Sequence, residues 1–118
     1  MTRQARIYFQ KAVYHVTIRG NNRQNILEDD KDKAVFLDCL KKFKVRFGFK
    51  LYAFVIMDNH VHLIIEANSA VNISKIMQAI TLSYSVKFRK KYSYSGYVWQ
   101  GRFKSNVIDG DRYIVECI

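Results

Sequence analysis

Met57-Asp58-Asn59-His60-Val61-His62-Leu63-Ile64-Ile65-Glu66 is the stretch on which the fold turns. Two histidines flank a valine and an apolar run follows, so the segment reads as a β-strand. Side chains alternate faces along a strand, which puts His60 and His62 on one side and Val61, Leu63 and Ile65 on the other. The two histidine Cα atoms then lie roughly 6.6 Å apart, within reach of one metal ion. Neutral imidazole is the commonest side-chain metal ligand. Taken alone, a His-x-His pair is more often two polar residues on a wet face, so other parts of the chain must decide.

Working outward, the segments on either side complete a pattern. Val13 to Ile18 is β-branched and aromatic and predicts a first strand, closed by a turn at Gly20-Asn21-Asn22. Asp29 and Asp30 can cap a helix whose apolar positions are Phe36, Cys39, Leu40, Phe43 and Phe47, with Gly48 as its stop. Leu51 to Met57 predicts a second strand, joined to the histidine strand by a short Asp58-Asn59 hairpin connection. A second helix is expected from Asn72, burying Ile73, Ile76, Met77, Ile80, Tyr84 and Phe88. Tyr92 to Gly96 reads as a loop, Phe103 to Ile108 as a fourth strand, and Asp111 to Ile118 as the start of a third helix. The order β-α-β-β-α-β is the split βαβ, or ferredoxin-like, arrangement: an α+β domain with an antiparallel sheet and helices on one face. If Val61, Leu63 and Ile65 pack under the helices, the histidines stand on the open face.

The chain has 118 residues, no proline, no Gly/Ser-rich linker and no internal repeat, so residues 1–118 are expected to form one domain. Twenty Lys and Arg against ten Asp and Glu leave a formal charge of +10, which predicts attraction to polyanions. No apolar run approaches the roughly 18 residues of a membrane span, and no signal-type stretch follows the N-terminus. Two cysteines, Cys39 and Cys117, are too few for a disulfide framework, and a cytoplasmic protein is expected.

From Ala67 to Ile108 there is no acidic residue, while Lys75, Lys87, Arg89, Lys90, Lys91, Arg102 and Lys104 are all basic. Aromatics are interleaved, with Tyr94, Tyr97 and Trp99 in or beside a loop where they can stack on bases. Cations beside flat rings suit single-stranded or looped nucleic acid. Arg19, Asn21, Asn22 and Arg23 form a polar loop suited to phosphates or base edges, and Lys87, Lys91, Arg102 and Lys104 are candidate backbone contacts.

Three runs in order, Tyr14-His15-Val16-Thr17-Ile18-Arg19-Gly20-Asn21-Asn22, Met57 to Ile64, and Trp99-Gln100-Gly101-Arg102-Phe103-Lys104-Ser105, resemble the single-tyrosine HUH transposases. The third run points to the REP-associated tyrosine transposase branch. The resemblance implies cleavage and rejoining of hairpin-bearing single-stranded DNA through a phosphotyrosine intermediate. It also implies His60 and His62 as ligands of a divalent ion, Mg²⁺ or Mn²⁺. The family's nucleophile sits on a helix after the Gln-Gly-Arg-Phe strand, in a Tyr-Ile-x-x-Asn-Pro context. Here Tyr113-Ile114 echoes that motif without the Asn-Pro, at an earlier point on the helix, and the chain stops at Ile118. The C-terminal helix is therefore expected to be cut short, with the nucleophile either Tyr113 or a tyrosine past Ile118. Two alternatives stay open: a non-catalytic nucleic-acid-binding domain, as in a domesticated or truncated transposase, and a small metal-binding domain. A homodimer is neither required nor excluded.

Overall fold

The computed structural model describes residues 11–68 and 72–107. Among them four strands, β1 (Lys11–Arg19), β2 (Lys50–Ile56), β3 (His60–Asn68) and β4 (Lys104–Val107), form one antiparallel sheet in the order β2-β3-β1-β4. Two helices, α1 (Asp30–Phe47) and α2 (Ile73–Tyr92), complete the β-α-β-β-α-β order that the sequence predicts. The helix expected from Asp111, with Tyr113 on it, lies outside the described residues.

Alternation builds the layers. Tyr14, Val16 and Ile18 of β1 and Val61, Leu63, Ile65 and Ala67 of β3 are all buried. They share one core with Phe36, Leu40 and Phe43 of α1 and Ile73, Ile76, Met77, Ile80 and Tyr84 of α2. Burying several such side chains stabilises a domain by about 1.5–3 kcal/mol each relative to exposure, and this is the main force holding the helices on that face. Cys39 belongs to the same core, as its place on the helical stripe predicts.

Both helices begin and end on recognisable local chemistry. The Asp29 side chain accepts the Asp32 N–H at 2.7 Å, and Gly48 closes α1 in the left-handed region at φ 73°. Asn72 accepts the Lys75 N–H at 3.0 Å to open α2. A side-chain staple then joins the start of α1 to the end of α2. Asp32, 4 % exposed, receives Lys91 Nζ at 2.8 Å and the Tyr92 hydroxyl at 2.6 Å. These bonds raise the Lys91 pKa, the hydrogen bond to Asp32 being the largest cause. Lys91, a candidate DNA contact in the sequence, is paired with a buried carboxylate that would otherwise lack a counter-charge.

The connection from β1 to α1 is held by Tyr84, whose buried hydroxyl donates to the Ile26 carbonyl. Burial also pushes the Tyr84 hydroxyl far above its ordinary pKa, so it stays protonated and donating. Removing that donor leaves the Ile26 carbonyl without its partner. Tyr84→Phe is therefore expected to lower unfolding free energy by about 1–2 kcal/mol. Urea denaturation should show a lower midpoint with an unchanged slope.

Candidate metal centre and nucleic-acid interface

The register of the sheet assembles the site. Thr17 on β1 lies opposite His62 on β3, and Arg19 lies opposite His60. Thr17 also lies opposite Lys104 on β4, and His62 opposite Val55 on β2. One row across the open face therefore reads Lys104, Thr17, His62, Val55. The next row holds Asn106, His15, Ile64 and Ala53. His15, two residues before Thr17, faces the same way and closes on His62, with its Nε2 3.2 Å from His62 Nδ1. The His15 and His62 rings stack at 5.3 Å between centroids, and His60 meets His62 edge-on at 5.1 Å.

Hydrogen bonds orient two of these rings. The Asn59 Oδ1 lies 2.8 Å from His60 Nδ1, and that oxygen can only accept, so Nδ1 carries the proton. The lone pair of His60 is thereby placed on Nε2. Asn59 in turn donates its Nδ2 to the Arg23 carbonyl at 3.4 Å. His62 Nδ1 contacts Thr17 Oγ1 at 3.3 Å as well as His15, and both atoms can accept a proton from it. With the proton on Nδ1, donated to either partner, the lone pair of His62 is on Nε2. Burial lowers the His62 pKa below its ordinary 6.5, and the nearby His60, His15 and Arg19 lower it further. The imidazole is thus held neutral, the form that ligates.

Two imidazole nitrogens are on offer, and the rest of an ion's shell must come from elsewhere. Among the described residues no group of three or more His, Cys, Asp or Glu side chains converges on a metal position. Glu66, on the histidines' face, accepts from the Tyr52 hydroxyl at 2.5 Å and lies two rows away from His62. Two imidazole nitrogens are an unusually nitrogen-rich set for Mg²⁺, which prefers oxygen, so the remaining positions of such an ion would be filled by water, phosphate oxygens and a third protein group.

The loop after β1 braces this end of the sheet. Gly20 donates its N–H to the Asn59 carbonyl at 2.8 Å, and Asn21 donates to the Val98 carbonyl at 2.8 Å. A Cβ on Gly20 would sit 2.5 Å from the Gln24 carbonyl oxygen, so the close approach requires glycine. Asn22 and Arg23 follow at φ 57° and 58°, two successive left-handed residues in a single 3-10 turn. That uncommon backbone turns the Arg23 carbonyl toward Asn59.

The expected DNA-binding residues separate into groups. Arg19 and Lys104 stand on the histidine face, and the Asn21–Arg23 loop joins it through Asn59. Lys87 and Lys91 are on α2, on the other side of the sheet. Trp99 is half-buried, with its Nε1–H donated to the Thr81 carbonyl at 3.0 Å and its ring against Phe36 and Tyr84. It is a fixed wall of the core, where the sequence suggested a loop-surface ring. Arg102 is exposed beside it and, with Trp99, lines a cleft of about 470 Å³. The sequence places His15 in a first strand that can neighbour the site, but it does not mark Thr17 or Asn59 as ligand-orienting residues. Strand alternation signals His15 and Thr17, since residues 15, 17 and 19 share a face, but only the β1–β3 register brings them to His62.

An antiparallel four-stranded sheet in the order β2-β3-β1-β4, with helices on one face and an imidazole cluster on the other, defines a small ferredoxin-like α+β domain. Residues 8–116 match the IS200-like transposase family model, and the chain belongs to that family. Among solved structures, it superposes on a REP-associated tyrosine transposase bound to a REP hairpin with a TM-score of 0.78 and 19% identity. That match covers 99% of this chain and 68% of the other. A putative transposase from Deinococcus radiodurans R1 gives 0.70 and 19%, over 95% and 91% of the two chains. No curated protein matches the sequence.

Two outcomes follow from this geometry. Because folding lowers the His62 pKa, the stability it confers is complete above about pH 6.5 and is lost as pH falls toward the folded value. Metal-free protein should thus lose stability between pH 7 and pH 5 relative to His62→Gln, as read by urea unfolding at each pH. Asn59→Ala removes the acceptor that fixes His60, and is expected to weaken Mn²⁺ binding about 10–100-fold with the fold intact. Isothermal titration and circular dichroism would measure the two properties.

Proposed function

We propose that this chain binds hairpin-bearing single-stranded DNA across the histidine face and cleaves and rejoins it, with His60 and His62 holding a divalent metal, Mg²⁺ or Mn²⁺. The observation that carries the reading is the oriented imidazole cluster on a face whose neighbouring charges, Arg19 and Lys104, are cationic. A REP hairpin on a structural neighbour supports a hairpin substrate. A metal bound there would act as a Lewis acid on a phosphate oxygen. Arg19 and Lys104 would hold the flanking backbone, and the Asn21–Arg23 loop would offer further donors to phosphate. Thr17 and Asn59 would keep the imidazoles aimed.

The nucleophile is assigned to a tyrosine C-terminal to β4, either Tyr113 or one past Ile118. Five of the six described tyrosines suit the role poorly. Tyr52, Tyr84 and Tyr92 donate to Glu66, Ile26 and Asp32, and each has a raised pKa, opposite to what an attacking phenolate needs. Tyr94 donates to the Tyr97 carbonyl, and Tyr14 is buried on the helix side of the sheet. The attacking oxygen would form a 5′-phosphotyrosine and release a 3′-OH, and reversal of that step joins strands. Among the described residues no helix is long and apolar enough to cross a membrane, in keeping with a DNA partner.

The test is cleavage with Mn²⁺ of a hairpin single-stranded DNA labelled at its 5′ or 3′ end, with adducts resolved on a denaturing gel. The chain, Tyr113→Phe, and a form extended beyond Ile118 are compared. A covalent adduct on the 3′-labelled fragment, abolished in His60→Ala/His62→Ala, is expected from this chain or from the extended form. Its loss in Tyr113→Phe would identify that residue. Salt-sensitive DNA binding with no adduct from either form would instead establish a non-catalytic binding domain. Tight Zn²⁺ binding with no DNA affinity would establish a metal-binding domain.

A further inference from the structure

We propose that the cleft between α2 and the Trp99–Phe103 segment is a receptor for a single unstacked nucleotide, separate from the histidine cluster. The inference rests on the DNA-binding reading above and names a part of the substrate that the histidine face does not read. At about 470 Å³ the cleft is within the usual range of about 300–1,000 Å³ for small-molecule pockets. Trp99 and Phe103 supply aromatic surface, Gln78 and Gln100 supply amides, and Arg102 supplies a cation. No acidic residue is among its described lining residues.

A nucleotide makes each of these demands together. Its base presents a flat π-face for Trp99 or Phe103 and an edge of donors and acceptors for the glutamine amides. Its phosphate suits a guanidinium, which can engage two oxygens at once. A bare anion would leave the aromatic surface unused, and an apolar ligand would bury Arg102 and the amides without partners.

The wall is rigid before any ligand arrives. Trp99 is pinned by its Nε1–H bond to Thr81 and by rings of Phe36 and Tyr84 at 5.9 and 5.7 Å between centroids. The segment itself is tied to β1, with Gly20 bridging Trp99 and Gln100 N–H donating to the Arg19 carbonyl at 2.9 Å. A preformed wall saves the ordering cost that a mobile loop would incur on binding. Position links the cleft to the rest of the site. Arg19 lines it, and the same residue lies opposite His60 in the β1–β3 register. Contacts to the backbone position a nucleic acid, whereas contacts to a base specify its sequence. The cleft thus supplies sequence discrimination at one nucleotide.

Trp99 is the chain's single tryptophan, so its emission reports on this cleft alone. Fluorescein-labelled single-stranded hexanucleotides would be titrated with and without an abasic site at each position in turn, following anisotropy for binding and Trp99 emission for occupancy. The expected result is Trp99 quenching by the intact hexamer. Quenching should vanish, and affinity fall about tenfold, when one particular base is missing. Gln78→Ala and Arg102→Ala alter exposed side chains and are expected to weaken the intact hexamer toward the abasic value. They should leave circular dichroism unchanged. Equal binding and equal Trp99 emission with every abasic hexamer would overturn the cleft's assignment while leaving the DNA-binding reading standing. Failure of the hexamers, and of a hairpin DNA carrying the same sequence as a single-stranded flank, to bind would overturn both.

Discussion

Strand β3 cannot choose where its histidines go. Val61, Leu63 and Ile65 are fully buried beneath the helices, and a period of two then turns His60 and His62 to the opposite face. A slip of one residue would put two imidazoles into the core and three aliphatic side chains into water. That penalty ties the chemistry of one face to the hydrophobic packing of the other. The same constraint runs through β1, where Tyr14, Val16 and Ile18 are buried and His15, Thr17 and Arg19 take the open side. Two independently patterned strands, paired in one register, are what bring His15 to within 3.2 Å of His62.

Alternation aims the side chains, but it does not hold the rings still. That is left to the turns. Asn59 sits between His60 and the Arg23 carbonyl, and Gly20 brings the loop after β1 against the Asn59 carbonyl. Two consecutive left-handed residues, Asn22 and Arg23, are an unfavourable backbone that the surrounding bonds over-determine. The arrangement places strain beside the site and fixation around it. Asp58 is held as well, by Lys33 Nζ at 3.1 Å and by the Leu27 N–H on its carbonyl, so the hairpin before His60 is tied from α1.

Much of this was legible from local pattern. The strand containing His60 and His62, the helix caps at Asp29 and Asn72, the Gly48 stop and the buried stripe of α2 follow from periodicity and from capping chemistry. Each depends on residues within a few positions of one another. The features that were not legible join distant parts of the chain. Lys91 reads as a solvated cation in a basic run, and only the fold brings it to Asp32, 59 residues away. Trp99 reads as a loop aromatic, but Thr81 and the edges of Phe36 and Tyr84 place it in a wall. His15 looks like one polar residue in a strand until its register with β3 is known. Local sequence carries the period and the caps, whereas contacts across the sheet and between helices are set by the assembled core.

The distribution of acidic residues shows how a strongly cationic chain closes its helical layer and leaves the rows around His62 without carboxylates. Four of the seven described carboxylates have a defined structural partner. Asp29 caps α1, Asp32 neutralises Lys91, Asp58 pairs with Lys33, and Glu66 accepts from Tyr52. Asp29 and Asp32 also lie where the positive end of the α1 dipole favours them. Consequently the rows through His15, Thr17 and His62 contain no carboxylate to compete with phosphate for Arg19 or Lys104, or to draw protons onto the imidazoles. A carboxylate beside His62 would raise its pKa, whereas burial and cationic neighbours lower it. The same charge placement thus serves two ends: it closes the helical layer with ion pairs, and it keeps carboxylates away from His62 on the face that carries Arg19 and Lys104.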